Sequence, residues 1–388
     1  MSPRAEGRAD DRPTFRVAAI PGDGVGPEVL AAGRRVLDAV GAAEGFTIGW
    51  TELTVGGAGI DAYGLAVRPE DVAVCAAADA VYLGAVGGPK WDDPTSSVRP
   101  EQALFALRGG LGLFANLRPV TVHRTLVDAS PLRPELLEGV DLLFVRELTG
   151  GLYFGDRTEA HGPAGDRVAS DTLPYSEAEI ARVVRLAFEL ARGRRRRVTS
   201  VDKANVLATS RLWRQVATEV AVGFPDVELD HRLVDACAMQ IVKSPAGFDV
   251  IVTENLFGDI LSDEASVLAG SLGMLPSASL GETRTEHGLH GLYEPIHGSA
   301  PDIAGRDLAN PIGTILSGAM LLRWSLGRAA AAEAIETAVG AALDDGYRTA
   351  DLWPVSGGST AGLSRVGTTA MAEAVLARIQ SPAAAPVR

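Results

Sequence analysis

A chain of 388 residues is long enough for roughly two ordinary domains, each able to bury its own core. Apolar residues make up 46% and aromatics 5%, with 44 glycines, as in an Ala/Val/Leu/Gly-rich α/β protein; a formal charge of −13 argues against general affinity for nucleic acid or an anionic membrane. Two cysteines, Cys75 and Cys237, provide neither a disulfide framework nor a Cys-rich zinc site, and no apolar run reaches the ~18 residues of a membrane span, so a soluble protein in a reducing, cytoplasmic setting is expected.

In chain order, residues 1 to about 13 and the Pro/Ala-rich tail from Ser381 are expected to be disordered. A short buried strand is expected over 15–20. It leads into PGDGVGPE, where Gly22, Gly24 and Gly26 permit a tight turn and Pro27 opens a helix over 28–40. The turn is not a Rossmann G-x-G-x-x-G, because the third glycine falls one place early and Pro27 stands in its position; no P-loop motif occurs either. Strands over 48–55, 80–83, 142–145, 198–202, 227–234 and 249–253 then alternate with helices over 69–77, 177–192 and 210–222. That alternation predicts an α/β architecture with a mostly parallel sheet. The helix at 177 opens with an S-x-x-E capping box, Ser176 and Glu179. Between 150 and 173 the Gly-rich, charged GGLYFGDRTEAHGPAGDRVASDTL is too long for an ordinary connection and is expected to be a functional loop or a protruding arm. Residues 270–313 read as a second irregular region. Helices over 312–326, 329–343 and 370–379 follow.

Several residue types point to chemistry. After the apolar run at 248–252, residues 256–268 read at helical period, which makes Asp259 and Asp263 i, i+4 neighbours about 5–6 Å apart at Cβ. Alone, such a pair reads as a solvated acidic face or as part of a divalent-cation site, and oxygen-only ligands would select Mg²⁺ or Mn²⁺. Arg108 in FALRGG, Arg118 in LFANLRPV and Arg146 in LLFVRELTGG lie in or beside apolar runs, where arginine suits bidentate binding of carboxylate. Singly each could be an internal ion pair; three together favour an anionic small-molecule site. Lys203 follows a buried strand, where an ammonium must be paired or easily loses its proton. Tyr153 could serve beside it in acid–base work, although packing is the commoner fate of a tyrosine. Arg194–Arg197 reads either as the solvated end of helix 177–192 or as a polyanion-binding patch.

PGDGVGPE, GGPKWD, LFANLRP, VRELTGGLYFG, SVDKANVL, FGDILSDEAS, GSLGMLPSASLG and EPIHGSAPDIAG occur collinearly between about Arg16 and Leu376. Together they resemble the isocitrate/isopropylmalate β-decarboxylating dehydrogenases, and within them the isopropylmalate branch. The resemblance implies a two-domain α/β fold that is not a Rossmann fold, with a shared, mostly parallel central sheet. Residues 1–113 and 270–388 would form the first domain and 114–269 the second, with the active site in the cleft between them. It implies that Arg108, Arg118 and Arg146 hold the malate carboxylates, with Leu104 and Asp235 also on the substrate. Asp235, Asp259 and Asp263 would bind one Mg²⁺ or Mn²⁺, one of them reaching across from a second subunit of a homodimer. Tyr153 and Lys203 would transfer protons. Glu101 would lie near the nicotinamide, and His297, Gly298, Ser299, Ala300, Asp302 and Asn310 would hold the rest of the NAD. The 150–173 segment resembles an arm exchanged across that dimer.

The implied reaction is NAD-dependent oxidative decarboxylation of 3-isopropylmalate to 4-methyl-2-oxopentanoate, a step of leucine biosynthesis. Asp302 would accept bonds from the adenosine ribose hydroxyls and repel a 2′-phosphate by about 1–4 kcal/mol, which selects NAD over NADP. Leu104 and Phe105, one turn before Arg108, present an apolar wall for an alkyl group. Isopropylmalate enzymes commonly carry Leu at both positions, so Phe105 narrows the expected pocket and leaves D-malate, tartrate or another 3-substituted malate as alternatives. Gly109 and Gly110 also depart from the family pattern and are expected to loosen that helix end.

Overall fold

The structure, a computed structural model, describes residues 12–93, 96–161, 165–354 and 359–380, so both termini expected to be disordered lie outside the described residues apart from Arg12 and Pro13. β1 (Thr14–Gly22) runs into α1 (Gly26–Glu44), which is longer than its apolar spacing predicts and stops where Gly45 turns left-handed at φ 78° and donates its N–H to Gly41 O. β2 (Thr47–Glu52), α2 (Gly57–Tyr63), α3 (Pro69–Ala77) and β3 (Ala80–Ala85) follow. Next come α4 (Gln102–Gly110), β4 (Leu113–Thr121), α5 (Pro134–Leu137) and β5 (Asp141–Glu147). α4 continues through Gly109 and Gly110, so the two glycines do not end it early.

Within 150–173, β6 (Arg157–His161) pairs antiparallel with β7 (Arg167–Asp171), an arm with every strand residue exposed. α6 (Glu177–Arg192) starts on the predicted capping box, with Ser176 Oγ accepting from Glu179 N. β8 (Arg197–Asp202), α7 (Ala208–Ala221), β9 (Glu228–Leu233), α8 (Val234–Lys243), β10 (Val250–Thr253) and α9 (Asn255–Ser266) complete the middle of the chain. The strand expected over 227–234 therefore gives way to a helix at its last residue. α8 escapes a strand-period reading because only Cys237 and Ile241 face inward, while Met239 is 66% exposed.

The region expected to be irregular over 270–313 instead holds β11 (Pro276–Arg284) and β12 (Leu289–Pro295). Both lie inside one ten-stranded sheet of order β2-β1-β3-β12-β11-β4-β5-β10-β8-β9. Pairing is parallel from β2 to β12 and from β5 to β9, and antiparallel through β12, β11, β4 and β5 in the middle. β11 hides from a propensity reading because PSASLGETR has no β-branched residue before its threonine; burial and two antiparallel neighbours make it a strand. α10 (Ile312–Trp324), α11 (Ala329–Asp344), the short pair β13 (Tyr347–Arg348) and β14 (Ser364–Arg365), and α12 (Thr368–Gln380) finish the fold.

Arg194–Arg197 is solvated only in part: Arg195 and Arg196 are exposed, but three of the four cations hold partners. Arg194 Nε and Nη2 donate to Asp249 and Asp141 at 2.8 Å each, Arg195 binds Asp141 O and Phe248 O, and Arg197 pairs with Glu228. The cations pin the α6–β8 turn to the ends of β5 and β10, because Asp249 is 1% exposed and needs partners. Cys75 and Cys237 are buried and unpaired, and burial pushes both thiols up to about 12.

Candidate active site

Strand ends and one helix bring most of the chemistry together. Asn116 and Arg118 lie on β4, Arg146 at the end of β5, and Asp259 and Asp263 on consecutive turns of α9; Tyr153 sits in a short 3₁₀ turn (Gly151–Tyr153) after β5. Arg108 stands on helix α4 rather than at a strand end. Arg118 Nη1 donates to Asp263 Oδ1 at 3.1 Å and to Ser262 Oγ at 2.6 Å, Nη2 reaches Asp259 Oδ1 at 3.5 Å, and Nε donates to Asn116 Oδ1 at 2.6 Å. Arg146 Nη1 also binds Asp259 Oδ1, and Tyr153 donates its hydroxyl to Asp259 Oδ2 at 3.0 Å. Arg108 Nη2 pairs with Glu294 on β12 at 3.3 Å, while its buried Nε has no partner among the described residues. Such an orphaned guanidinium donor is suited to an incoming anion.

The cluster is electrostatically tense. All three arginines are buried, and burial lowers the proton affinity of Arg118 and takes Arg146 down to about 10, with Arg118 as its next-largest cause. Burial likewise raises the Asp263 carboxyl, opposed by Arg118. Tyr153 is pushed up to about 12 by burial first and then by Asp259, so it carries its proton at neutral pH.

Lys203, just past β8, and Asp235, in the first turn of α8, form their own pair at 2.6 Å, and that bond lowers the Asp235 carboxyl. Among the described residues no three His, Cys, Asp or Glu side chains converge to hold a metal ion. Asp235 is therefore not beside Asp259 and Asp263 within one chain.

A second group of loops meets at the other side of the glycine turn. Val25 N donates to Ser299 O at 2.8 Å, and a Cβ added at Gly24 (φ 59°) would lie 2.0 Å from that oxygen, so only glycine permits the contact. Asp23, 5% exposed, accepts from the N–H groups of Gly57, Ala58 and Gly87 and ties three loops together. A Cβ at Gly87 would lie 3.2 Å from Glu101 Oε1 and 3.9 Å from Ser299 Oγ, which places Glu101 beside the 297–310 loop. In that loop His297 Nδ1 contacts Gly298 O at 2.8 Å and its Nε2 is buried without a partner among the described residues. Burial lowers the His297 pKa. Ala300 has φ 38°, Asp302 is exposed, and Asn310 bonds Ile312 N and Asp351 rather than facing open space.

Leu104 is partly buried and Phe105 is 38% exposed, its ring meeting Phe154 edge-on at 5.5 Å. This contact links α4 to the residue after Tyr153. Asn116, Glu147, Tyr175, Asn255, Ser262 and Glu294 escape a sequence reading, as each has at least one partner distant in sequence; a charged Glu294 inside the apolar LYEP is the one local signal among them.

Residues 16–375 match the family described as isocitrate/isopropylmalate dehydrogenase. A 3-isopropylmalate dehydrogenase of Anaeromyxobacter dehalogenans is 59% identical over 364 residues, covering 94% of this chain and 99% of its own. One from Geobacillus kaustophilus is 57% identical over 343 residues, 88% of this chain and 91% of its own. Among solved structures, an isocitrate dehydrogenase from Methylococcus capsulatus superposes with a TM-score of 0.81 at 35% identity, covering 94% of this chain and 99% of that one.

Proposed function

The chain belongs to the isocitrate/isopropylmalate dehydrogenase family, and from that premise we propose that it oxidises and decarboxylates 3-isopropylmalate to 4-methyl-2-oxopentanoate with NAD, as a cytoplasmic homodimer in leucine biosynthesis. The observation that carries the reading is the convergence of two buried arginines, Arg118 and Arg146, and the Tyr153 hydroxyl on the Asp259–Asp263 pair, with buried Arg108 near enough to act on both guanidiniums electrostatically.

The residues fit a divalent ion and a dinucleotide. Asp259 and Asp263 offer oxygen only, as Mg²⁺ or Mn²⁺ requires, and the ion would draw off the carboxylates that now occupy Arg118 and Arg146, freeing both guanidiniums for substrate. Once bound, it would act as a Lewis acid at the oxygen on C2. Asp235 would complete the ligand set from a second subunit, bringing the partner subunit's Lys203 with it. In support, α8 and α9 pack together and leave Met239, Val242 and Ile260 exposed as an apolar face suited to a second copy. The β6–β7 arm would exchange across the same dimer, and the cleft would divide residues 1–113 with 270–388 from 114–269. NAD would supply the hydride acceptor. For it, His297 Nε2, which has no partner among the described residues, and the Gly298–Asp302 turn would provide the cradle, and Glu101, beside the same loop, would lie on the nicotinamide side.

Arg108, Arg118 and Arg146 hold the two carboxylates and fix C2. Lys203 takes the hydroxyl proton, directly or through water, as hydride leaves C2. The resulting ketone stands β to a carboxylate, whose loss as CO₂ leaves an enolate. Tyr153, protonated at neutral pH, delivers its proton to C3. A second reading, the same chemistry on malate, tartrate or a differently substituted malate, draws support from the bulk of Phe105 next to Leu104, its ring held edge-on against Phe154. Turnover of a panel of 3-substituted malates with NAD and Mn²⁺ separates the two: fastest turnover of 3-isopropylmalate is expected, and preference for unsubstituted malate would favour the second.

A further inference from the structure

Arg146 does not orient itself. Its Nε and Nη2 both donate to one acceptor, Asn255 Oδ1, at 3.0 and 2.8 Å, which turns Nη1 toward Asp259. Asn255 is the first residue of α9, fully buried, and is itself held twice: Nδ2 donates to Gly150 O at 3.2 Å, and its backbone N–H donates to the Tyr175 hydroxyl at 3.0 Å. Tyr175 passes the chain on by donating to Glu147 Oε2 at 3.0 Å. Glu147, with no exposed surface, also accepts from Thr149 N and Thr149 Oγ1 at 2.8 Å and from Gly150 N at 2.9 Å. Its four acceptor sites are filled, so the hydroxyl of Tyr175 has one direction in which to donate. The Tyr175 ring fixes the same turn sterically: a Cβ at Gly150 or Gly151 would come within 2.6 or 2.9 Å of a ring carbon.

Thus one buried network joins the end of β5, the turn that carries Tyr153 and the first turn of the helix that carries Asp259 and Asp263. We propose that Glu147, Tyr175 and Asn255 are positioning residues for the reaction, presenting Arg146 Nη1 to the carboxylate site and setting the register of α9 against Tyr153. The inference rests on the dehydrogenase reading above only for the identity of the substrate. Asn255 fixes the guanidinium; Tyr175 and Glu147 fix Asn255. A guanidinium free to rotate would still be a cation in the site, but it would no longer meet the substrate carboxylate with a pre-aligned fork.

The test uses Tyr175→Phe, which keeps the ring on Gly150 and Gly151 and removes only the hydroxyl, and Asn255→Ala. In the full-length enzyme both variants are expected to raise the KM for the hydroxy acid about tenfold while the KM for NAD holds, a split that general loosening of the fold would not give. In an Arg146→Lys background, which has no fork to orient, Asn255→Ala is expected to add less than about twofold. Equal effects of Asn255→Ala in both backgrounds, or an unchanged KM in both single variants, would overturn the proposal. Crystal structures of the two variants read the same point without any substrate: the Arg146 guanidinium is expected to leave its wild-type orientation, and finding it unmoved in both would overturn the proposal whatever the enzyme oxidises. Absence of turnover of 3-isopropylmalate by the wild type would instead strike the functional reading and leave this structural arm standing.

Discussion

Two arginines and the Tyr153 hydroxyl converge on Asp259. Its i, i+4 relation to Asp263 was legible from spacing alone, since one helical period settles which side chains share a face. That the pair is ion-paired rather than solvated was not legible, because Arg118 and Arg146 arrive from strands more than a hundred residues earlier. Asp235 illustrates the opposite limit. Its residue type suits a ligand, yet within one chain it meets Lys203 and not the aspartates. Cofactor choice belongs at this scale too. Asp302 is exposed in the 297–310 loop, and if the adenosine ribose lies against it, its like charge would disfavour a 2′-phosphate by about 1–4 kcal/mol. Asp302→Lys is expected to shift the ratio of kcat/KM for NAD over NADP toward NADP by at least about tenfold, and an unchanged ratio would remove Asp302 from the selectivity account.

At the scale of elements, strongly periodic helices such as α3 and α6 were readable to the residue, because capping boxes and Pro-led starts mark their beginnings. β11 and β12 were not, since glycine, serine and proline conceal strands whose existence depends on neighbours formed by other parts of the chain. β12 also carries a pH-sensitive group. His290 is 2% exposed, its Nε2 lies 3.1 Å from Cys75 O on α3, and burial lowers its pKa below the usual 6.5. The unfolded chain therefore binds more protons than the native state as pH falls below that value, and stability falls with it. His123, His231 and His297 are depressed for the same reason and act in the same direction. Urea midpoints are expected to drop from pH 7 toward pH 5, and to drop less in His290→Gln. An equal slope in that variant would show that His290 titrates no differently when buried.

For the whole molecule, the sequence alone supports an α/β fold with a mostly parallel sheet, and the single ten-stranded sheet joined by antiparallel strands at its middle bears this out. What one chain leaves apart, a dimer would join. If each site takes Asp259 from one subunit and Lys203 from the other, Asp259→Ala and Lys203→Met homodimers are each expected to be inactive. Mixing and re-forming them would restore about a quarter of wild-type activity, since half the dimers are then mixed and each holds one complete site. No recovery on subunit exchange would place Lys203 and Asp259 in the same chain's site or in no common site.

The central claim is metal-assisted oxidative decarboxylation, and its most direct test is to follow NADH and CO₂ together from 3-isopropylmalate, NAD and Mn²⁺. The account predicts that the two appear in equal amounts and that a chelator stops both until Mn²⁺ is restored. NADH formed without CO₂, or turnover indifferent to the chelator, would contradict it.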